Sequence, residues 1–583
     1  MMRTHTCGEL NLKNEGQKVS LCGWVDSKRN HGGVLFIVLR DLYGITQIVV
    51  EPSNKHFNSA ENLGNEYVIK AEGTVRKRPE GNANKNIPTG EIEVYLENLE
   101  ILNTSKEPAF AIAEYINVNE ETRLKYRYLD IRRETMKKNL VFRSKIAQVV
   151  RNYLYSNNFN EVETPILTKS TPEGARDFLV PSRINPGKFY ALPQSPQMFK
   201  QILMVSGMDR YFQLARNFRD EDLRSDRQLE HTQIDLEMSF VNERDVALIV
   251  EGMMKEVFKF AGYDIETPFM DMEYEEAMLK YGTDKPDLRY DYEIKEVTEI
   301  FKNTEFKIFR QTVESNGTIR GINAKNAHQY SRSEIDKLTE TLKSNGAKGL
   351  VWLKMKDGKI DSSISKFLKE MEVESLKKSF DIKEGDTVFI LSDDKKNILN
   401  YIGILRNEII KRDQNPKKKW AFLWVRHFPL LEWKADENRY DATHNPFTAP
   451  LPEELYKLDK KEELENIKSC QYDLVLNGVE LGSGSVRNHR REIQEKIFKL
   501  MGYSEKEIYE KFGMLVEALG YGAPPHGGIG IGFDRLIAVI CGYDSIREVI
   551  AFPKTTSGIC PMTEAPSEVG EKQLNELKIQ IKK

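Results

Sequence analysis

The sequence predicts a multidomain α+β protein with a small N-terminal β-barrel, a second domain built on an antiparallel sheet, and an α+β domain inserted into the second one. Three observations lead to this prediction. Five short strand-like runs occur before residue 105, and a period-two pattern marks a long hairpin between residues 211 and 238. A Lys- and Glu-rich stretch then interrupts the second domain between residues 287 and 415.

Length and composition set further limits. The 583 residues are enough for three or four domains, with expected ranges 1–105, 106–286, 287–415 and 416–583. The 86 basic and 89 acidic residues give a net charge of −3, so overall charge does not indicate a nucleic-acid binder. The five cysteines form no C-x-x-C pair, which argues against a disulfide framework and a zinc site. Without a signal-like N-terminus or an apolar run near ~18 residues, we expect a cytoplasmic protein with no membrane segment.

The N-terminal barrel is predicted from strand-like runs separated by Gly, Asn and Pro. These runs cover residues 19–26, 34–40, 45–50, 67–75 and 91–96. Five strands within about a hundred residues are typical of an OB-fold, although another small β-domain would fit the same spacing. Basic and aromatic side chains interleave here, which suits stacking on unpaired bases and contact with phosphates. They are Trp24, Lys28, Arg29, His31, Phe36 and Arg40.

The long hairpin between residues 211 and 238 has two different faces. Period-two alternation places each set of residues on one face of the strands. One set is largely apolar, and the other is dense in hydrogen-bonding groups. The second set includes Gln213, Asn217, Arg219, His231, Gln233, Asp235 and Glu237. A solvated sheet face is the alternative, but solvated faces are usually rich in Lys, Glu and Thr.

A shorter hairpin predicts a metal site. Asn477 and Gly478 form a strong two-residue turn signal, and counting outward from the turn places Asp473 on the same face as Glu480. Gly482 and Gly484 are expected on that face too, where they would allow close approach of a triphosphate. Two carboxylates facing a triphosphate suit Mg²⁺. The alternative is a pair of strand-edge carboxylates neutralised by Lys or Arg.

Two segments about three hundred residues apart carry the strongest functional signal. The FRDE run at 218–221 and the GIGFDR run at 530–535 resemble motifs 2 and 3 of class II aminoacyl-tRNA synthetases. Either run alone fits an ordinary ion pair or a helix cap. Together and in this order they indicate a site in which two arginines hold a triphosphate and offset its developing negative charge.

The resemblance extends over nearly the whole chain. Residues 159–165 resemble motif 1, the dimer-interface element of the class, and 171–178, 194–200 and 472–487 resemble segments of bacterial-type aspartyl-tRNA synthetases. In that subgroup the N-terminal barrel binds the anticodon, and an extra domain separates motifs 2 and 3. Related synthetases for Asn and Lys share the barrel and the motifs without this insertion.

The resemblance implies roles for individual residues. Arg219 and Arg535 would be catalytic. The implied aspartate-binding residues are Glu173, Ser195, Gln197, Lys200, Arg219, Asp235, His444 and Arg487. The implied ATP-binding residues are Arg219, Asp220, Glu221, Gln228, His231, Glu480, Gly532, Phe533, Asp534 and Arg535. The metal ligands would be Asp473 and Glu480, and the implied tRNA-binding residues are Arg29, His31, Phe36, Gln47 and Gly81.

The chemistry of aspartate fits this assignment. Aspartate has two carboxylates and one ammonium. Lys200 and Arg487 suit the carboxylates, and Glu173, Gln197 and Asp235 suit the ammonium and its surroundings. A basic clamp selects aspartate over asparagine, because the neutral amide brings donors to a site that is already full of donors.

The implied reaction is ATP-dependent activation of L-aspartate and its transfer to the 3′ end of tRNA-Asp, with tRNA-Asn as a further candidate acceptor. The implied cofactors are ATP and Mg²⁺, and the implied assembly is a homodimer without a DNA or membrane partner. Two other classes remain open. One is an ATP-dependent ligase that acts on a small molecule, and the other is a non-catalytic RNA-binding paralogue.

The sequence departs from the family pattern at one position. The family commonly has two histidines before a P-F-T run, whereas this chain has His444 followed by Asn445. His444 remains a candidate for closing over the substrate. Any role of the second histidine is in doubt.

Overall fold

The computed structural model describes residues 1–171 and 174–582, apart from the side chain of His328. The chain forms two compact units. The first consists of Met1–Ser144 and Arg547–Glu568, and the second of Lys145–Ile546 and Val569–Lys583.

A closed five-stranded barrel forms most of the first unit and confirms the predicted OB-type architecture. Its strands are β1 (Lys18–His31), β2 (Val34–Arg40), β3 (Ile45–Val50), β4 (Val68–Lys77) and β5 (Ile92–Asn103), with the short helix α1 (Phe57–Glu61) between β3 and β4. They are arranged β1-β2-β3-β5-β4. Alternate residues of β1 point inward, and Val19, Leu21 and Val25 belong to the apolar barrel core.

Three helices follow the barrel: α2 (Glu120–Lys125), α3 (Arg127–Asp130) and α4 (Glu134–Ser156). The buried carboxylate of Asp130 accepts hydrogen bonds from Arg127 Nη1 at 2.6 Å and from Arg133 Nη1 at 2.7 Å. Arg127 also donates to the backbone carbonyls of Arg547 and Ala551. The returning segment 547–568 is therefore anchored to these helices inside the first unit.

The second unit contains the remaining elements. The first group comprises β6 (Asn160–Glu161), β7 (Leu179–Pro181), β8 (Phe189–Ala191), α5 (Gln197–Val205), β9 (Arg210–Phe218), β10 (Glu230–Ser239), α6 (Glu243–Phe260), β11 (Met270–Glu273) and α7 (Tyr274–Tyr281). The inserted group comprises β12 (Ile294–Glu296), α8 (Lys307–Glu314), β13 (Thr318–Ala324), α9 (Arg332–Ser344), β14 (Val351–Lys356), β15 (Lys359–Ser362), α10 (Glu370–Phe380), β16 (Thr387–Asp393) and α11 (Asn397–Arg412). The last group comprises β17 (Phe422–Arg426), β18 (Leu431–Lys434), β19 (Arg439–Ala442), β20 (Gln471–Leu476), β21 (Val479–Val486), α12 (Arg491–Leu500), α13 (Glu505–Leu519), β22 (His526–Gly532), α14 (Phe533–Cys541) and α15 (Glu571–Leu577).

An eight-stranded sheet organises this unit, in the order β11-β17-β20-β21-β22-β10-β9-β6. It is antiparallel as predicted, except that the outermost pairs β11–β17 and β6–β9 are parallel. Its strands come from both sides of the insertion, so residues distant in sequence meet on one surface.

The insertion forms its own five-stranded antiparallel sheet, ordered β12-β13-β16-β14-β15. Helix α11 packs on it through Ile398, Ile402 and Leu405. All of these strands lie within the predicted range 287–415, although the four domain boundaries themselves remain predictions. Among the described residues, no helix has both the length and the apolar character needed to cross a membrane.

Candidate active site

The β9–β10 hairpin has the predicted two-faced arrangement. Asn217 lies opposite His231 and Gln213 lies opposite Asp235, so the polar sets of the two strands share one face. Strand β22 continues this face, with Gly530 opposite Asp235. A Cβ at Gly528 would lie 2.2 Å from Glu237 Oε2. Glycine in β22 therefore makes room for the carboxylates of β10.

A cavity of about 550 Å³ opens over this surface. Most of the predicted site residues line it: Ser195, Gln197, Lys200, Arg219, Glu221, Gln228, His231, Asp235, His444, Glu480, Arg487, Gly532, Asp534 and Arg535. They come from α5, β10, β21, β22, α14 and the connecting loops. The large sheet thus brings together motifs that are separated by the insertion.

Three predicted residues do not belong to this lining. Asp220 is exposed, and its backbone N–H donates to the carbonyl of Arg176. Phe533 is 2% exposed and begins α14 inside the core. Asp473 is buried in β20. Glu173 lies outside the described residues.

The centre of the site is a buried group of alternating charges. Lys200 Nζ lies 3.0 Å from Asp235 Oδ1 and 3.3 Å from Glu237 Oε2. Arg487 Nε donates to Glu237 Oε1 over 3.0 Å, and its Nη1 donates to Ser485 Oγ over 2.7 Å. These contacts fix the two predicted carboxylate-binding cations in a region where unpaired charges would be costly.

The two carboxylates of this group respond differently to burial. Burial raises the pKa of Asp235, although Lys200 opposes the shift. Burial also disfavours ionised Glu237, but Arg487 and Lys200 outweigh it and hold the pKa of Glu237 below its usual range. Glu237 therefore stays ionised, and its carboxylate holds Lys200 and Arg487 in place.

The opposite end of the cavity is suited to an anion and a flat ring. Arg219 Nε is buried, and no described residue accepts its hydrogen bond. Arg535 Nη1 donates to the carbonyl of Glu480 over 2.6 Å, which helps to fix its guanidinium. Burial lowers the pKa of His231 to about 3, and the neighbouring arginines, Arg219 first, add to this effect. His231 is thus neutral near pH 7 and presents an uncharged ring between cations.

The predicted pair of carboxylates is present, but its register differs from the prediction. Val475 lies opposite Glu480 as expected. A β-bulge follows, so that Ser483 lies opposite Asp473, where counting predicts Gly482. Burial raises the pKa of Asp473 to about 6, and the nearby Glu480 carboxylate adds to the shift.

The expectation that Gly482 and Gly484 share the face of the two carboxylates is wrong. A Cβ at Gly482 would lie 2.8 Å from Ile531 Cγ1, and a Cβ at Gly484 would lie 2.7 Å from Tyr472 Cε2. Both of these neighbours are buried core side chains. The missing side chains therefore allow close packing on the core side of the strand, while the glycine backbones still line the cavity.

Asn445 has a structural role of its own in the loop that carries His444. Its Oδ1 accepts a hydrogen bond from the backbone N–H of Phe447 over 2.9 Å, and its carbonyl accepts from Thr448. This arrangement is an Asx-type turn, which asparagine supports well. The ring of His444 packs edge-on against Phe428 at 4.9 Å, and both His444 and Asn445 line the cavity.

The prediction of site residues missed several contributors. The most important is Glu237, which pairs with both Lys200 and Arg487. The sequence pattern placed it on the polar face but gave it no role in the site. Lys285 lies 3.8 Å from Glu480 and comes from the loop before the insertion, where no motif marks it. Gln471 donates to both Asp473 and Ser483. In the sequence, only its place on the same face of the strand as Asp473 indicates that it belongs to the site.

In the first unit, three of the predicted tRNA-binding residues form one cluster. The Arg29 guanidinium lies 5.8 Å from the ring centre of Phe36, and its Nη2 donates to Gln47 Oε1 over 3.4 Å. The contacts of this cluster do not include His31 or Gly81. His31 is exposed at the end of β1, and Gly81 is exposed with φ +82° in the β4–β5 loop.

Family comparisons agree with this geometry. The model for "tRNA synthetases class II (D, K and N)" matches residues 119–556, and the model for "OB-fold nucleic acid binding domain" matches residues 19–102. The aspartate–tRNA(Asp/Asn) ligase of Elusimicrobium minutum is 55% identical over 585 residues, covering 100% of both chains. The ligase of the same name from Aquifex aeolicus is 51% identical over 593 residues, covering 99% of this chain and 98% of the relative.

Solved structures share the fold. Asparaginyl-tRNA synthetase from Pyrococcus horikoshii in complex with asparaginyl-adenylate has a TM-score of 0.58 at 20% identity and covers 95% of this chain and 99% of its own. A putative aspartyl-tRNA synthetase from Leishmania major has a TM-score of 0.58 at 17% identity, covering 93% and 92%. Taken with the full-length relatives, the matching family model shows that the chain belongs to the class II tRNA synthetases of the D, K and N group, an ATP-using ligase family with an OB-fold anticodon-binding domain.

Proposed function

We propose that this chain is an aspartate–tRNA ligase. The observation that carries the proposal is the buried pair Lys200 and Arg487, held at one end of the cavity by Asp235 and Glu237. Two cations suit the carboxylates of the substrate, and Asp235 suits its ammonium. Asparagine would place amide donors against these cations, so the pair favours aspartate. Full-length relatives that are named aspartate–tRNA(Asp/Asn) ligases support the same substrate.

In the first reaction step, a carboxylate oxygen of aspartate attacks the α-phosphorus of ATP. The bond to the bridging oxygen breaks, and pyrophosphate leaves with its electrons. Arg219 and Arg535 are the groups in the cavity that offset negative charge on the phosphates. In the second step, the 3′-hydroxyl of the terminal adenosine of tRNA attacks the activated carbonyl carbon. AMP leaves and the hydroxyl proton is released, so no covalent enzyme intermediate is needed.

The base of ATP would lie near His231. Its lowered pKa keeps the imidazole neutral, so the ring stacks on adenine without adding a third charge beside Arg219 and Arg535. Arg535 offers a planar guanidinium to the other face of the base and to the terminal phosphate. Glu221 and Gln228 line the same part of the cavity and supply polar contacts to the base edge.

Asp473 and Glu480 would hold Mg²⁺. Burial raises the pKa of Asp473 and the Glu480 carboxylate adds to the shift, so a divalent cation would offset negative charge at this position. No group of three or more candidate ligands among His, Cys, Asp and Glu occurs in the described part of the chain. Mg²⁺ usually takes one or two carboxylates together with substrate phosphates and water. The cation would supply charge neutralisation to the triphosphate.

The barrel would bind the tRNA anticodon through Arg29, Phe36 and Gln47. The ring of Phe36 suits stacking on an unpaired base, and Arg29 suits phosphate or base contacts.

We further propose that tRNA-Asn is a second acceptor, because exposed His31 and exposed Gly81 leave an adaptable surface beside the turns. The alternative is that both are ordinary turn residues. The cytoplasmic location remains part of this proposal.

A homodimer is the proposed assembly. The motif 1 segment is followed by a surface with several exposed apolar side chains: Ile166, Leu167, Leu179, Phe189 and Tyr190. Exposed apolar side chains in such a group mark interaction sites in many proteins. Sedimentation at micromolar concentration should give about twice the chain mass. A monomer with full activity would overturn the dimer and leave the proposed reaction untouched.

The proposed function is tested by charging purified tRNA transcripts with labelled aspartate. Efficient ATP-dependent charging of tRNA-Asp is expected, together with measurable charging of tRNA-Asn. If only tRNA-Asp is charged, the proposal that tRNA-Asn is a second acceptor is wrong, and the rest of the proposed function stands. If neither transcript is charged while aspartate still drives pyrophosphate release, the chain is a ligase with a different acceptor, and the proposed function fails.

A further inference from the structure

A second cavity, of about 500 Å³, lies in the inserted domain beside the end of β13 and the C-terminal end of α11. It shares no lining residue with the candidate active site. Three tyrosines form part of its wall. The rings of Tyr290 and Tyr292 are nearly parallel, with centres 6.1 Å apart, and Tyr330 packs against Phe389.

The tyrosine wall is held rigidly. The hydroxyl of Tyr292 donates to Asp413 Oδ2 over 2.5 Å, and that of Tyr290 donates to the backbone carbonyl of Asp413 over 3.0 Å. Burial and the neighbouring Asp413 raise the pKa of Tyr292, so this hydroxyl remains a donor. The Arg412 guanidinium lies 5.9 Å from the ring centre of Tyr330. A preformed aromatic wall of this kind suits a flat ring.

The lining carries four cationic side chains and two carboxylates: Arg289, Lys325, Arg412, Lys417, Asp291 and Asp413. Three of the cations also form ion pairs, Arg289 with Asp287, Arg412 with Glu408 and Lys417 with Asp291. The Lys417–Asp291 pair is exposed, and exposed pairs are weak, so a phosphate can compete for Lys417. One of the carboxylates, Asp413, accepts hydrogen bonds from Tyr292 and from the backbone N–H of Asn415. Lys325 and Lys417 are exposed at the cavity. An anionic ligand is therefore favoured at this site.

Amide side chains complete the lining. Asn326, Gln329, Gln414 and Asn415 offer both donors and acceptors beside the cations. Paired donors and acceptors of this type form hydrogen bonds with the edges of nucleobases, whereas cations contact phosphates. The aromatic wall, the positive charge and the amides all suit the same chemical class of ligand.

We propose that the cavity of the inserted domain binds a phosphorylated nucleoside that belongs to an RNA strand. The phosphate lies near Lys325 and Lys417, and the base lies against the tyrosine wall beside the amides. Lys418 and Lys419 continue the basic run beyond Lys417, which suits further phosphates of a strand. The identity of the strand as tRNA rests on the proposed function, but binding of a phosphorylated nucleoside does not.

The experiment uses the full-length chain with the double substitution Lys325→Glu and Lys417→Glu. The matched control is Lys359→Glu with Lys366→Glu, which changes two exposed lysines of the same domain that do not line the cavity. Both variants change the net charge equally. Filter binding of a tRNA transcript over a series of salt concentrations measures the RNA interaction. Equilibrium dialysis with AMP measures the number of nucleotide sites per chain.

The cavity variant should bind tRNA about tenfold more weakly than the control. The slope of log affinity against log salt concentration should be smaller in magnitude by about one to two. AMP sites should fall from two per chain to one, while aspartate-dependent pyrophosphate exchange stays unchanged. If the AMP site is lost while tRNA binding is unaltered, the proposal that the nucleoside belongs to an RNA strand is wrong, and the ligand is a free nucleotide. If both variants behave alike in both assays, the cavity is not a nucleotide site. Absence of exchange in the unaltered chain would refute the proposed function, and the AMP dialysis would still decide the cavity.

Discussion

Arg487 Nε donates to Glu237 Oε1 over 3.0 Å, and the two side chains are only 3% and 0% exposed. The pair joins β10 to the end of β21, two strands that are separated in sequence by the whole insertion. Because both charges are buried, each depends on the other for compensation. The substrate end of the cavity therefore contains an internally balanced group of charges before any ligand binds.

Glu237→Gln should destabilise the protein strongly. Removing one partner of a buried ion pair typically costs about 3–5 kcal/mol, because the other charge remains buried without compensation. The matched control is Glu230→Gln on the same strand, whose pairing with Arg216 is partly exposed at 30% and 43%. The control should lose less than about 1 kcal/mol. Denaturant unfolding measures both, and equal losses would show that Glu237 does not hold the site together.

Arg219→Ala and Arg535→Ala should each nearly abolish aspartate-dependent pyrophosphate exchange. Each removes a charge-assisted contact to phosphate, and such losses cost about 2–5 kcal/mol, which is a decrease of at least about 30-fold. Arg216→Ala is the control, because Arg216 lies in β9 only three residues before Arg219 but does not line the cavity. If either active-site variant unfolds normally and keeps near-normal exchange, the substituted arginine does not have the proposed catalytic role.

The Mg²⁺ requirement should rise as the pH falls through about 6. The pKa of Asp473 is raised to about 6, so its carboxylate takes up a proton below that pH and loses affinity for a cation. The concentration of Mg²⁺ that gives half-maximal exchange should therefore be higher at pH 5.5 than at pH 7.5. Asp473→Asn should show a high requirement at both values. A requirement that is independent of pH in the unaltered enzyme would argue against Asp473 as a ligand.

Phe36→Ala should weaken tRNA charging without affecting pyrophosphate exchange. Stacking of one base on an aromatic ring contributes about 1–3 kcal/mol, so kcat/KM for tRNA should fall by about tenfold. Tyr43→Ala is the control, since Tyr43 is an exposed aromatic residue of the same barrel outside the Arg29 cluster. Equal charging by both variants would exclude Phe36 as an anticodon contact.

Local patterns are sufficient to predict most of the fold. All five barrel strands and the two faces of the β9–β10 hairpin follow from alternation and turn residues, which act over a few positions. The same alternation is enough to assign His231 and Asp235 to one face of their strand. The Asn477 and Gly478 turn likewise fixes the start of the β20–β21 pairing.

The errors arise where distant parts of the chain decide the geometry. The bulge opposite Asp473 depends on how β21 fits between β20 and β22, and counting from the turn cannot reveal it. Glu237 was placed on the correct face, but its pairing with Arg487 requires a strand that lies 250 residues away in sequence. Phe533 lies within a binding motif, yet it points into the core because α14 needs an apolar first turn there. Packing between elements determined each of these outcomes.

The central claim is that the cavity activates aspartate, and pyrophosphate exchange with each of the twenty amino acids tests it most directly. Exchange should require ATP and Mg²⁺ and should be supported by L-aspartate, with asparagine lower by at least about two orders of magnitude because its amide opposes the Lys200 and Arg487 donors. Exchange supported by asparagine or lysine in preference to aspartate would contradict the account, and so would the absence of exchange with all twenty.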